Sequence, residues 1–107
     1  MRGLMIAALL LGGLSGPAVA ECFSGLGCSD VDRFRQADLR TMRCSDLWYV
    51  RNRIFDENGY CFRTARGRAN FDNSDCWEAD QAQVKMNAVE RANVDAIVRA
   101  ERALGCR

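Results

Sequence analysis

Along residues 47–60, LWYVRNRIFDENGY, apolar side chains recur at Leu47, Val50 and Ile54, with Trp48 and Phe55 flanking them. At about 100° per residue these positions share one side of a helix. The spacing predicts a helix over 46–57, begun by the oxygen-bearing side chain of Ser45 or Asp46. Gly59 suits the left-handed position after its end, with Tyr60 folding back on Phe55. A second periodic stretch, 88–104, gathers Val89, Ala96, Ile97, Ala100 and Leu104 on one face. Asn87, with Glu90 three residues on, reads as its capping box, and Gly105 as its stop. Each stripe holds a polar residue: Arg51 near the centre of the first, with Asn52 at its edge, and Asn93 inside the second. An unpaired buried charge is costly. With the two helices packed face to face, Arg51 is therefore expected to donate to Asn93, to Glu101 or to loop carbonyls, in preference to binding a ligand. Asn52 is read as tying the following turn to the helix.

The rest of the chain is less periodic. Residues 21–36, ECFSGLGCSDVDRFRQ, read as an ordered N-terminal extension, and 37–107 as the domain proper. ADLRTMRC offers one helical turn that sets Leu39 and Met42 on the core. In CFRTARGRANF, Phe62, Ala65, Ala69 and Phe71 are expected to be buried, with Thr64 capping a short helix. Val94 and Val98, beside Arg91 and Arg102, form an apolar strip that the N-terminal extension is expected to cover. The expected fold class is mainly α: a small disulfide-stabilised helical domain with two principal antiparallel helices and irregular connections.

Residues 1–20 carry a basic start, MR, an apolar run, GLMIAALLLGGL, and the small-x-small sequence AVA. This is a signal-peptide pattern, with cleavage expected between Ala20 and Glu21 and a product in the periplasm or secreted. A lipid anchor would need an acceptor cysteine directly after a small residue, whereas Glu21 precedes Cys22. The apolar run is too short to span a bilayer, and no membrane span is expected elsewhere. Removing residues 1–20 leaves 87 residues with 14 basic and 14 acidic side chains, which argues against nucleic acid as a partner. Charge is uneven: residues 33–68 hold nine basic and four acidic groups, and 69–107 hold five and seven.

All six cysteines, Cys22, Cys28, Cys44, Cys61, Cys76 and Cys106, follow the leader. An even count in a small exported chain reads as a disulfide framework, and six cysteines allow fifteen pairings. There is no C-x-x-C knuckle and no histidine, so neither zinc nor any other metal or cofactor is expected. An antiparallel helix pair brings Cys44, before the first helix, towards Cys106, after the last. Cys61 with Cys76 and Cys22 with Cys28 complete the expected set.

The order of these features resembles the YARHG domain, a small bacterial extracytoplasmic module, in its cysteine-rich proteobacterial form. The likeness runs from about Leu39 to Cys106. It rests on LWYVRNRIF, containing Trp48, with Arg51, Asn52 and Ile54 at the family's R-N-x-I. It continues through GYCF (Gly59, Tyr60, Cys61, Phe62), TAR (Thr64 to Arg66), Phe71, Asn93 with Ile97, and the closing ERALGC. The namesake stretch departs from the pattern: Phe55, Asp56, Glu57, Asn58 and Gly59 stand where Y-A-R-H-G would be. The resemblance implies fold and export and supplies no catalytic residue.

With no histidine, general acid–base chemistry would fall to carboxylates. Asp56 and Glu57 are adjacent on a helix end and diverge by about 100°, which does not make a facing pair. Asp72, Asp75, Glu78 and Asp80 lack the D-x-D-x-D-G order of a calcium loop and read as a solvated acidic turn. No glycine-rich phosphate loop or G-x-S-x-G is present. The function expected is an exported, non-catalytic binding or interaction module of the bacterial cell envelope. Arg63, Arg66 and Arg68 are its candidate surface for an anionic partner, with peptidoglycan or an envelope protein as candidates. The competing classes are a small envelope enzyme using carboxylates, which needs a cleft holding two close acids, and a protein inhibitor of an envelope hydrolase.

Overall fold

The computed structural model describes residues 21–107; the expected leader lies outside the described residues. Two short strands, β1 (Cys22–Phe23) and β2 (Gly27–Cys28), pair antiparallel. They are followed by α1 (Gln36–Leu39), α2 (Cys44–Glu57), α3 (Ala65–Asn70), a 3-10 turn (Gln81–Gln83) and α4 (Ala88–Ala103). The long helices α2 and α4 run antiparallel, because Cys44 meets Cys106, Arg51 meets Glu101 and Asn58 meets Glu90 in reversed order. The disulfides are Cys22–Cys28, Cys44–Cys106 and Cys61–Cys76, the pairs expected from that arrangement.

Local chemistry explains the helix ends. Asn87 Oδ1 accepts from Glu90 N at 2.8 Å and Glu90 Oε1 from Asn87 N at 2.9 Å, a reciprocal capping box. Helix α2 starts earlier than its sequence suggests. Arg43 holds the N-cap position without a side-chain cap, and Ser45 and Asp46 lie inside the first turn. The Asp46 carboxylate there favours the free amides and accepts from Arg43 Nε at 3.1 Å. Both long helices end in the same way. Gly59 N donates to Asp56 O and Tyr60 N to Phe55 O, each at 3.1 Å. Gly105 N donates to Arg102 O at 3.1 Å and Cys106 N to Glu101 O at 2.8 Å. These are Schellman endings, with the glycines at φ +87° and +71°. The second swings Cys106 onto the core and leaves Leu104 41% exposed, correcting its expected place on the buried face.

The interior has two parts. An aliphatic cluster between α1, α2 and α4 contains Leu39, Leu47, Val50, Ile54, Ala96, Ile97 and Ala100, together with Phe34. An aromatic cluster under the connection contains Phe55, Phe62, Phe71 and Val84. Phe62 and Phe71 stack with centroids 4.7 Å apart, and Tyr60 meets Phe62 edge-on at 4.9 Å. Ala65 and Ala69 are exposed, contrary to expectation. Helix α3, capped by Thr64 Oγ1 accepting from Gly67 N, turns Gly67 inward instead. A Cβ at Gly67 would lie 2.7 Å from Phe62 Cδ1, so the close approach requires glycine.

Asn93 holds the N-terminal segment to the helix pair. Its Oδ1 accepts from Phe34 N at 2.8 Å, and its Nδ2 donates to Ser29 O at 3.0 Å and Asp32 O at 2.9 Å. Gln36 Nε2 adds a bond to Ala96 O at 2.7 Å. The segment thus lies along the Asn87–Asn93–Ala96 edge, with Asn87 Nδ2 on Asp30 O. Val94 packs against both clusters, and Val98 is half-buried.

Candidate functional site

A cavity of about 270 Å³ opens where the end of α2 meets the 72–77 turn. It is lined by Arg53, Asp56, Glu57, Gly59, Asp72, Asp75, Cys76 and Trp77. Backbone bonds build it: Gly59 O accepts from Trp77 N at 2.9 Å and Glu78 N at 3.0 Å, and Cys61 N donates to Glu78 O at 2.8 Å. The Cys61–Cys76 bridge closes the same junction. Trp77 is 74% exposed with its ring against Gly59, where an added Cβ would come within 2.2 Å of Cε2. Gly59 is therefore required twice, by its positive φ and by the indole.

Arg53 is the electrostatic centre of this cleft. Its Nε donates to Glu21 Oε1 at 2.7 Å and its Nη1 to Asp56 Oδ2 at 2.5 Å, while Glu57 Oε2 lies 3.4 Å from Nε. Burial opposes the Arg53 charge, but Glu21, Glu57 and Asp56 outweigh it and hold the guanidinium above its ordinary range. Burial pushes the Asp56 carboxyl up; Arg53 pulls it back, and Asp75 and Asp72 add to the rise. Burial likewise raises Glu57, against the Glu21 amide and Arg53. Asp72 is held low by the amide and then the hydroxyl of Ser74.

Of the three candidate arginines, Arg66 and Arg68 lie in α3 and Arg63 just before it. The Arg66 guanidinium lies 3.8 Å from the Trp48 ring centroid, and Arg68 Nε donates to Phe62 O at 3.2 Å. All three residues are exposed, and among the described residues none has a carboxylate partner. Asn73 fixes the backbone beneath them, accepting from Phe62 N at 2.9 Å and donating to Phe62 O at 2.8 Å.

Arg51 takes one of its expected roles, a two-pronged pair with Glu101: Nε to Oε1 at 2.7 Å and Nη2 to Oε2 at 3.1 Å. Asn93 is spent on the N-terminal segment. Asn52 is buried and bonds back to Trp48 O at 2.9 Å; it is Asn58, donating to Ile54 O and Glu90 Oε2, that ties the turn. Asp56 and Glu57 do not face each other, but both reach Arg53, at i,i+3 and i,i+4. That spacing was the available signal for the Arg53 cluster. Among the described residues, no group of three or more His, Cys, Asp or Glu is arranged to hold a metal ion. None of their helices is long and apolar enough to cross a membrane.

No curated protein and no solved structure matches the chain. The model of the YARHG domain matches residues 25–102, which include α2, all but the last residue of α4, the residues lining the Arg53 cleft and the arginines of α3. The chain belongs to the YARHG domain family.

Proposed function

We propose that the protein is an exported binding module of the bacterial cell envelope, with residues 21–36 as an extension and 37–107 as the domain that carries the contact surface. Three disulfides and the YARHG family are consistent with an extracellular or periplasmic location. The leader pattern in residues 1–20, cut after Ala20, would deliver the chain there. The observation that carries the reading is the arginine surface: Arg63, Arg66 and Arg68 stand exposed, without carboxylate partners among the described residues, beside the stacked Phe62 and Phe71 rings. Guanidinium groups whose charge is not met by a carboxylate suit carboxylate- or phosphate-bearing ligands.

Incubating the oxidised protein with purified peptidoglycan tests this, with bound protein measured in the pellet and released fragments in the supernatant. The expected result is binding without release, weakened about ten-fold or more by Arg63→Ala, Arg66→Ala and Arg68→Ala together, with the fold retained. Unchanged affinity in a folded triple variant rejects this surface. Binding of neither kind removes peptidoglycan and leaves an envelope protein as the partner to seek.

A second reading is a carboxylate enzyme, favoured by one observation: the cleft joins Asp56, raised by burial, with Asp72, held low by Ser74. Two acids pushed apart in this way match the needs of an acid and a base. Released fragments that disappear in Asp56→Asn would establish it.

A further inference from the structure

Removal of residues 1–20 changes the chemistry of one atom inside the described structure. Glu21 N lies 2.8 Å from Glu57 Oε2. In the uncut chain this nitrogen is a peptide amide with one hydrogen and no charge. Hydrolysis of the Ala20–Glu21 bond by a leader peptidase gives the water's hydroxyl to the Ala20 carboxyl carbon and its hydrogen to the nitrogen. At neutral pH the new amine takes up one more proton and becomes an α-ammonium.

The acceptor is already built. The Glu57 side chain is only 6% exposed and is held from three sides: by the Glu21 nitrogen, by Arg53 Nε at 3.4 Å and by Ser29 Oγ at 3.4 Å. Arg53 Nε also grips the Glu21 side chain, which fixes the residue that carries the nitrogen. Ser29 N donates to Glu21 O at 3.2 Å, and the Cys22–Cys28 bridge begins one residue later. In the uncut chain three carboxylates, Glu21, Asp56 and Glu57, share one guanidinium. That is an unbalanced cluster in a partly buried place.

We propose that Glu57 is the receptor for the α-ammonium that leader removal creates at Glu21. Processing would then complete an internal ion pair and lock the N-terminal segment onto α2. The proposal rests on the reading of residues 1–20 as a leader cut after Ala20. It adds a second cation where the uncut chain has one cation for three acids. The groups around Glu57 are Arg53, Ser29, the Glu21 side chain and, beyond Arg53, Asp56.

The test is to express the full chain with its own leader, purify the exported protein and measure its intact mass. Acylation of its amines is then followed against pH. Lys85 is the sole lysine and is exposed, so it serves as an internal reference. With Glu21 at the N-terminus, the α-amine is expected to titrate about one unit above its ordinary 7.7–8.0, a ten-fold gain in proton affinity. Glu57→Gln should return it to the ordinary range. Because that variant is able to disturb folding, a second one inserts Gly between Ala20 and Glu21. It keeps Glu57 and moves the ammonium one residue away, with the same expected return. A mass that places the N-terminus elsewhere overturns the leader reading and the clamp with it. A mass at Glu21 with an ordinary α-amine overturns the clamp alone, as does a raised value that both variants retain.

Discussion

The helix pair and the aromatic connection are each stapled by one long-range disulfide, but they are built by different means. Between α2 and α4 the backbone bonds are internal to each helix, and the interface is aliphatic, with one two-pronged pair, Arg51–Glu101. In the connection, residues 58–87 contain only a six-residue helix and a 3-10 turn. There, side chains stand in for secondary structure, as Asn73 does in pairing with both backbone groups of Phe62. Stacked rings supply the packing. The first region is held by repetition of a pattern, the second by individual residues that have no substitute.

Breaking the staples gives the largest contrast. Cys44–Cys106 closes a separation of 62 residues and Cys61–Cys76 one of 15. Chain entropy predicts losses of about 4 and about 3 kcal/mol when each pair is replaced by serines, measured by denaturant unfolding. Similar losses, or the reverse order, would place the difference in the folded state. Next in size is Gly67→Ala. Alanine favours a helix, but its Cβ would stand 2.7 Å from a Phe62 ring already stacked on Phe71. A net loss of about 1 kcal/mol is expected in the same assay, because overpacking exceeds the propensity gain. A gain in stability would show that the connection is less tightly fitted than its geometry implies.

The smallest effect concerns charge. In the helix pair one arginine meets one glutamate, whereas in the cleft beside the second staple Arg53 serves Glu21, Asp56 and Glu57. Burial lifts Asp56, so the folded chain keeps its proton at a pH where the unfolded chain has lost it. Its contribution is complete below the unfolded value of about 3.9 and falls away as pH rises through the higher folded value. Asp72, held low by Ser74, acts with the opposite sign, its contribution fading as pH falls through its depressed value. Urea midpoints between about pH 3 and 6 should show Asp56→Asn making the descending part of the curve shallower, with the share from Glu57, also raised by burial, remaining. An unaltered pH curve would mean that Asp56 is not desolvated in solution.

Legibility in the sequence follows the same division. The two long helices, the capping box at Asn87, the stops at Gly59 and Gly105 and the Thr64 cap rest on local rules, and the structure contains each of them. The wheel places Asn93 on the inner face, but nothing local says that its partners are Phe34, Ser29 and Asp32, about sixty positions earlier. Ala65 and Ala69 fail for a related reason. Periodicity over six residues fixes a face only once the neighbour is known, and Phe62 selects Gly67. The cleft was hidden because it depends on a single parallel bridge, Tyr60 to Glu78, too short to leave a pattern. The i,i+3 and i,i+4 spacing of Asp56 and Glu57 from Arg53 is legible locally, whereas the approach of Glu21, 32 positions earlier, and of the 72–77 turn is not.

The Cys44–Cys106 bond, placed at the start of one long helix and just past the end of the other, has a further consequence. It makes everything between those residues a covalent ring, with the N-terminal segment and Arg107 lying outside it. A protease that nicks one peptide bond in the ring releases no fragment. Tension applied to the chain on either side of the ring bypasses the helices, because the load passes through the sulfurs. In surroundings rich in hydrolases, the arginine surface and the acidic cleft would therefore stay attached to the same molecule after a first cut.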